Sequence, residues 1–185
     1  MLPIPSILSA SRLVMTVPAV LAILRGDWTT AFVWCSVAGF TDVADGWVAR
    51  RFHMQTRAGA WLDPVADKVL VSALYVCLTN AGVVPLWLVV LVISRDVLIL
   101  SMAGYAIAFT SLRDFPPSFW GKLSTTLQIT NTAVAMASQV WASAPMHVAL
   151  QLTIAAATAG TFWSGVAYVR AGIERLRQLR ADEIP

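Results

Sequence analysis

The 185-residue chain is 58% hydrophobic and only 12% charged, with a formal net charge of +3 and a mean hydropathy of +0.71. A soluble domain of this length has about 45–50% apolar and about 25% charged residues, so the composition excludes an ordinary soluble enzyme and indicates a membrane domain. The length fits one compact domain over residues 1–185. We expect membrane lipids as partners and no nucleic acid.

Six apolar segments are long enough to cross a bilayer core, which needs about 20 residues per helix. In chain order, the predicted spans are Pro5–Leu24, Thr29–Phe52, Leu62–Asn80, Pro85–Phe109, Lys122–Ala142 and Met146–Arg170. Turn-forming residues such as Gly26, Gly82 and Pro145 separate consecutive spans. The sequence therefore predicts an all-α fold, a polytopic membrane bundle of six transmembrane helices.

Basic residues lie almost entirely on one side of these spans. That side carries Arg50, Arg51, Arg57, Arg113, Lys122, Arg170, Arg175, Arg177 and Arg180. The loops on the other side carry only Arg25, which Asp27 offsets. Because positively charged loops stay in the cytoplasm, both termini are predicted to be cytoplasmic. The first eleven residues lack the patterns of a cleaved signal or a transit peptide, which favours a bacterial inner (plasma) membrane.

Four aspartates fall within the second and third predicted spans, where charge is costly. Asp42 and Asp45 are three residues apart and Asp63 and Asp67 are four apart, so each pair shares a helix face. A charged residue at the centre of a span costs about 2.5–3.5 kcal/mol, so these carboxylates need an offset. If the two faces converge, divalent cations such as Mg²⁺ or Mn²⁺ would neutralise them. The alternative is that each aspartate forms an ion pair with a nearby Lys or Arg side chain, such as Lys68.

The spacing of residues around these aspartates resembles a family signature. The pattern Asp42-x2-Asp45-Gly46-x2-Ala49-Arg50-x8-Gly59-x3-Asp63-x3-Asp67 is similar, at every position, to that of the CDP-alcohol phosphotransferases. This family consists of six-helix membrane enzymes that are usually homodimers. The resemblance implies that two divalent cations are held by Asp42, Asp45, Asp63 and Asp67. It implies that Asp67 is also the catalytic base, and that the CDP group is contacted by Gly46, Ala49, Arg50 and Gly59.

Two segments outside the signature resemble subgroups of this family. Pro5–Arg12 is similar to a segment shared by phosphatidylglycerophosphate synthases and CDP-lipid-dependent cardiolipin synthases, with Ser6 in place of their usual Asn. Ile93–Leu98 is more similar to the cardiolipin synthases. The resemblance therefore implies transfer of the phosphatidyl group of CDP-diacylglycerol to phosphatidylglycerol, with release of CMP. The alternative is a phosphatidylglycerophosphate synthase, whose acceptor is glycerol-3-phosphate.

Three further basic residues are candidates for contacts with a lipid phosphate. Arg95 lies deep in the fourth predicted span beside Asp96, and it either binds such a phosphate or forms an ion pair that holds the bundle. Arg113 and Lys122 lie at the predicted cytoplasmic rim, where they either steer an anionic headgroup or follow the topology rule. A non-catalytic transporter or scaffold is an alternative, since intramembrane carboxylates also mark ion pathways. A transporter would more often show internal repeats, which this sequence lacks.

Overall fold

The computed structural model describes residues 15–51, 59–109 and 119–182, and these ranges contain helices and turns without any strand. The helices are α1, Met15–Leu24; α2, Trp28–Arg51; α3, Gly59–Asn80; α4, Leu86–Phe109; α5, Phe119–Val140; and α6, Ala144–Asp182. The predicted all-α fold is therefore confirmed for the described ranges. The segment Pro5–Arg12 and Arg113 lie outside them.

Helix ends follow the turn chemistry of the sequence. Gly26 and Gly82 have φ angles of 73° and 74°, in the left-handed region that favours glycine, and they end α1 and α3. Asp27 caps the next helix, because its Oδ1 accepts a hydrogen bond from the backbone N–H of Thr30 at 3.1 Å. These two turns therefore join α1 to α2 and α3 to α4 as the sequence predicts. The last helix continues to Asp182, beyond the end of the sixth predicted span at Arg170.

Helices α5 and α6 pack most closely against each other. Helix α5 also packs against α2 and α3, and α4 packs against both α3 and α6. The seam between α5 and α6 depends on small residues, since a Cβ added at Gly160 would lie 2.6 Å from Leu127 Cδ1. The core contains several fully buried side chains from three helices: Tyr75, Leu78, Leu88, Val92, Ala135 and Met136.

The outside of the bundle is rich in large apolar side chains. Phe40, Leu86, Val90, Leu152 and Phe162 are each more than half exposed. Within the described ranges, one helical segment, Ala144–Glu174, is long and apolar enough to cross a bilayer by length and composition, whereas Met15–Leu24 and Leu70–Asn80 are apolar but shorter. The six spans and the cytoplasmic termini stay predictions.

Candidate active site

The signature residues lie near the end of one helix and the start of the next along the chain. Asp42 and Asp45 are in the last turns of α2, which ends at Arg51, and Asp63 and Asp67 are in the first turns of α3. At 1.5 Å per residue, positions 42 and 45 are about 14 and 9 Å from the end of α2. Positions 63 and 67 are about 6 and 12 Å from the start of α3. The helical backbone thus provides the predicted spacing on both helices.

The side chains of residues 42–51 and 59–67 lie outside the described part of the structure. The signature contacts assigned to these side chains therefore stay predictions, for the metal ligands as well as for Gly46, Ala49, Arg50 and Gly59. The donor set itself fits the expected metal, because carboxylate oxygens are the ligands that Mg²⁺ and Mn²⁺ prefer. Among the side chains that are described, no three His, Cys, Asp or Glu residues come together as an alternative metal centre.

A cavity of about 190 Å³ lies beside these positions, among α1, α2, α3 and α5. Helix α2 lines it with Cys35 and Gly39, and α3 lines it with Leu70, Val71 and Leu74. Helical periodicity places positions 42 and 46 on the continuation of the α2 lining face, and positions 67 and 63 on that of α3. The helix faces that carry the signature positions therefore continue, from the adjacent turn onwards, as the lining of one largely apolar cavity.

A buried ionic cluster joins α3, α4 and α6. Asp96 Oδ1 accepts hydrogen bonds from Lys68 Nζ at 2.9 Å and from Arg95 Nη1 at 2.6 Å. Arg95 also donates to Ser164 Oγ from Nε at 3.2 Å and from Nη2 at 2.6 Å, and its guanidinium lies 5.7 Å from the ring centroid of Tyr168. The ion pair between Arg95 and Asp96, one of the two interpretations of these residues, is therefore present.

Two contacts in this cluster are not apparent from the sequence. Lys68 was a candidate partner for the signature aspartates, whereas the structure pairs it with Asp96, 28 residues away. Ser164 lies on a stripe of small residues typical of helix packing, and its hydroxyl also accepts both hydrogen bonds from Arg95. In the sequence, the second contact is indicated only by the hydroxyl of Ser164, which lies on the same helix face as the hydroxyl of Thr161 one turn earlier.

A separate hydrogen-bond network holds α5 to its neighbours. Gln128 Nε2 donates to Thr161 Oγ1 of α6 at 3.0 Å. Tyr75 of α3 donates to Asn131 Oδ1 at 3.0 Å, and Asn131 Nδ2 donates to Thr153 Oγ1 of α6 at 3.1 Å. Since buried polar groups are costly when they lack partners, these bonds allow polar side chains in the middle of the bundle. The network therefore fixes the position of α5, which forms one wall of the cavity.

An open groove of about 450 Å³ runs between α4 and α6 on the outside of the bundle. Its walls include Leu98, Phe162 and Val169, and it is also lined by Arg95 and Arg170. Lys122, another predicted phosphate contact, lies in the first turn of α5, where it is exposed. The groove therefore combines apolar walls with two basic residues.

Comparisons with known proteins agree with the signature. The family model described as CDP-alcohol phosphatidyltransferase matches residues 2–163. The chain is 31% identical over 155 residues to a probable cardiolipin synthase (CMP-forming) of Drosophila melanogaster, covering 75% of this chain and 48% of that protein. It is 32% identical over 158 residues to a cardiolipin synthase (CMP-forming) of Homo sapiens, covering 75% and 51%. The chain thus spans about half the length of these two proteins.

A bacterial relative aligns over more of the chain. The probable phosphatidylglycerophosphate synthase of Mycobacterium tuberculosis is 34% identical over 182 residues, covering 95% of this chain and 84% of that protein. Proteins named cardiolipin synthase and a protein named phosphatidylglycerophosphate synthase are therefore similar to this chain at nearly the same level of identity.

Proposed function

Because this chain belongs to the CDP-alcohol phosphatidyltransferase family, we propose that it transfers the phosphatidyl group of CDP-diacylglycerol to an alcohol within a membrane. The observation that carries this proposal is the position of the signature on the faces of α2 and α3 that continue into an apolar cavity. The CDP group would lie beside the signature residues, and the cavity would accept part of the diacylglycerol moiety. Such a division of polar and apolar contacts suits a nucleotide-linked lipid.

In this mechanism, the four aspartates would hold two Mg²⁺ or Mn²⁺ ions. When bound, these ions would neutralise charge on the diphosphate and favour in-line displacement of CMP. Asp67 would accept the proton of the attacking hydroxyl. Arg50 would donate hydrogen bonds to the diphosphate, for which a planar guanidinium is well suited. Gly46, Ala49 and Gly59 would leave room for the nucleotide because their side chains are small or absent.

We propose phosphatidylglycerol as the acceptor, which makes the product cardiolipin. The groove between α4 and α6 supports a lipid acceptor, because its apolar walls suit acyl chains and the exposed Arg170 suits a phosphate, whereas the guanidinium of Arg95 is already bound to Asp96 and Ser164. Arg113 and Lys122 would attract the anionic headgroup at the rim. Glycerol-3-phosphate is the second candidate acceptor, favoured by the long alignment with the Mycobacterium tuberculosis protein.

We also propose that the protein spans a bacterial inner membrane six times as a homodimer, with its site and both termini in the cytoplasm. The one-sided distribution of basic residues supports this orientation. The exposed apolar side chains of the bundle support contact with acyl chains over a broad surface.

Competition between the two acceptors tests the function directly. Purified protein would be mixed with Mn²⁺, CDP-diacylglycerol and equal amounts of phosphatidylglycerol and glycerol-3-phosphate. We expect CMP and cardiolipin, and we expect EDTA to stop both. Formation of phosphatidylglycerophosphate without cardiolipin would identify the second candidate as correct. If no CMP forms with either acceptor, the proposed transferase activity is wrong.

A further inference from the structure

We propose that Lys68 is a positioning residue whose ion pair with Asp96 fixes the rotation of α3, so that positions 63 and 67 face the cavity. The proposal rests on the proposed function, because it takes these two positions as metal ligands and position 67 as the base. Lys68 would act through α3, without contacting the substrate itself.

The ion pair is firmly anchored on the side of α4. The Lys68 Nζ atom lies 2.9 Å from Asp96 Oδ1, and their side chains are 25% and 12% exposed. Asp96 is itself held by Arg95, which donates two hydrogen bonds to Ser164 of α6. Lys68 therefore ties α3 to a partner whose own position is fixed by a third helix.

Helix geometry connects this tie to the signature. Successive residues of an α-helix are about 100° apart around its axis, so positions 67 and 68 lie on different faces of α3. Position 67 shares a face with Leu70, Val71 and Leu74, which lie three, four and seven residues further along and line the cavity. When Lys68 reaches α4, position 67 is thus on the cavity face. A rotation of α3 that separates Lys68 from Asp96 would turn position 67 away from this face.

The tie also lies close to the residues it would position. Lys68 directly follows position 67 and is five residues after position 63. Tyr75, which joins α3 to α5, is seven residues away, or about 10 Å along the helix. An ion pair in a low-dielectric interior is also harder to break than an exposed pair, since water screens it less. Lys68 is therefore better placed than Tyr75 to restrain the first turns of α3.

The substitution Lys68→Met tests the proposal without leaving an unpaired buried charge, because Asp96 keeps its ion pair with Arg95. We expect kcat to fall by about 10–100-fold, which is typical for loss of a residue that supports metal ligands. Affinity for Mn²⁺ without substrate, measured by electron paramagnetic resonance of the free ion, should fall by a similar factor. The KM for CDP-diacylglycerol should change less than about threefold, since no substrate contact is lost. Lys68→Arg should restore most of the Mn²⁺ affinity.

Tyr75→Phe is the matched control on the same helix. It removes hydrogen bonds to Asn131 and to the carbonyl oxygen of Gln128, so it should lower the melting temperature. We expect Mn²⁺ affinity and kcat within about twofold of the wild type, because this tie lies farther from the signature.

Three outcomes for Lys68→Met would overturn the positioning role: unchanged Mn²⁺ affinity and kcat, a lower melting temperature alone, or a higher KM alone. The last would indicate a direct substrate contact. Wild-type protein that binds Mn²⁺ and releases CMP but forms no cardiolipin would contradict only the proposed acceptor, and the Mn²⁺ measurements would still decide the role of Lys68. Wild-type protein that binds no Mn²⁺ would contradict the metal site and the positioning role together.

Discussion

Helices α2 and α3 carry four acidic positions near the ends that one loop joins, whereas α3 and α4 bring two basic side chains, Lys68 and Arg95, to the carboxylate of Asp96. In the second region, every charged side chain has an oppositely charged partner within the protein, because Asp96 pairs with both Lys68 and Arg95. In the first region, the sequence gives an excess of negative charge with two arginines, Arg50 and Arg51, at the end of α2. The comparison indicates that charge paired with other side chains joins helices, and it supports the prediction that the excess negative charge of the first region binds cations.

Substitution of the proposed base should produce the largest effect. Asp67→Asn preserves the size of the side chain but removes its ability to accept a proton, so we expect kcat to fall by about 10²–10⁴-fold. CDP binding and the melting temperature should change little, since an amide can still coordinate a cation weakly. Turnover and CDP titration of the purified variant test this. A kcat near that of the wild type would exclude Asp67 as the base.

Loss of the Asp96 carboxylate, which Lys68 and Arg95 share, should strongly destabilise the protein. Asp96→Leu would leave Lys68 and Arg95 without their partner, and removing one side of a buried ion pair costs about 3–5 kcal/mol. Arg95→Met should destabilise less, because Asp96 would retain Lys68. Unfolding of both variants in detergent, followed by circular dichroism, measures the difference. Equal stabilities would show that compensation by Lys68 has no energetic importance.

Filling the cavity should affect the lipid substrate. Apart from the backbone of α2 itself, no atom of the described residues lies within 4 Å of a Cβ added at Gly39, which lines the cavity one turn before position 42. The substitution Gly39→Leu should raise the KM for long-chain CDP-diacylglycerol by about tenfold, an effect typical of changed volume in an apolar pocket. The matched control is Gly104→Leu, where an added Cβ also meets no atom. If both variants have the same KM, the cavity does not receive the lipid.

The smallest effect is expected at the opposite end of α2. The pKa of the Asp27 carboxyl lies below its ordinary value because the Thr30 side chain and backbone N–H both donate hydrogen bonds to it. This contribution to stability is present above the ordinary aspartate pKa and is lost as the pH falls through the lowered pKa of the folded protein. Asp27→Asn keeps an acceptor for the cap but does not titrate. The melting temperatures of the two proteins should therefore converge on acidification, and a constant difference would contradict this assignment.

Sequence by itself determined most of the fold and the family. Apolar runs ended by glycine and proline predicted α2 to α5 closely, because helix length and turn formation depend on neighbouring residues. The signature could also be recognised from the sequence, since Asp42, Asp45, Asp63 and Asp67 lie at short helical spacings along the chain.

The tertiary structure alone decided which charged side chains meet. Lys68 and Asp96 are 28 residues apart, and Arg95 and Ser164 are 69 apart. Periodicity shows that such residues share a face with their helical neighbours, but the partner across the interface depends on the rotation and packing of both helices. For that reason, Lys68 was interpreted from sequence as a possible partner of the signature aspartates. Packing of α3, α4 and α6 instead brings Lys68 and Arg95 to Asp96 and Ser164 to Arg95.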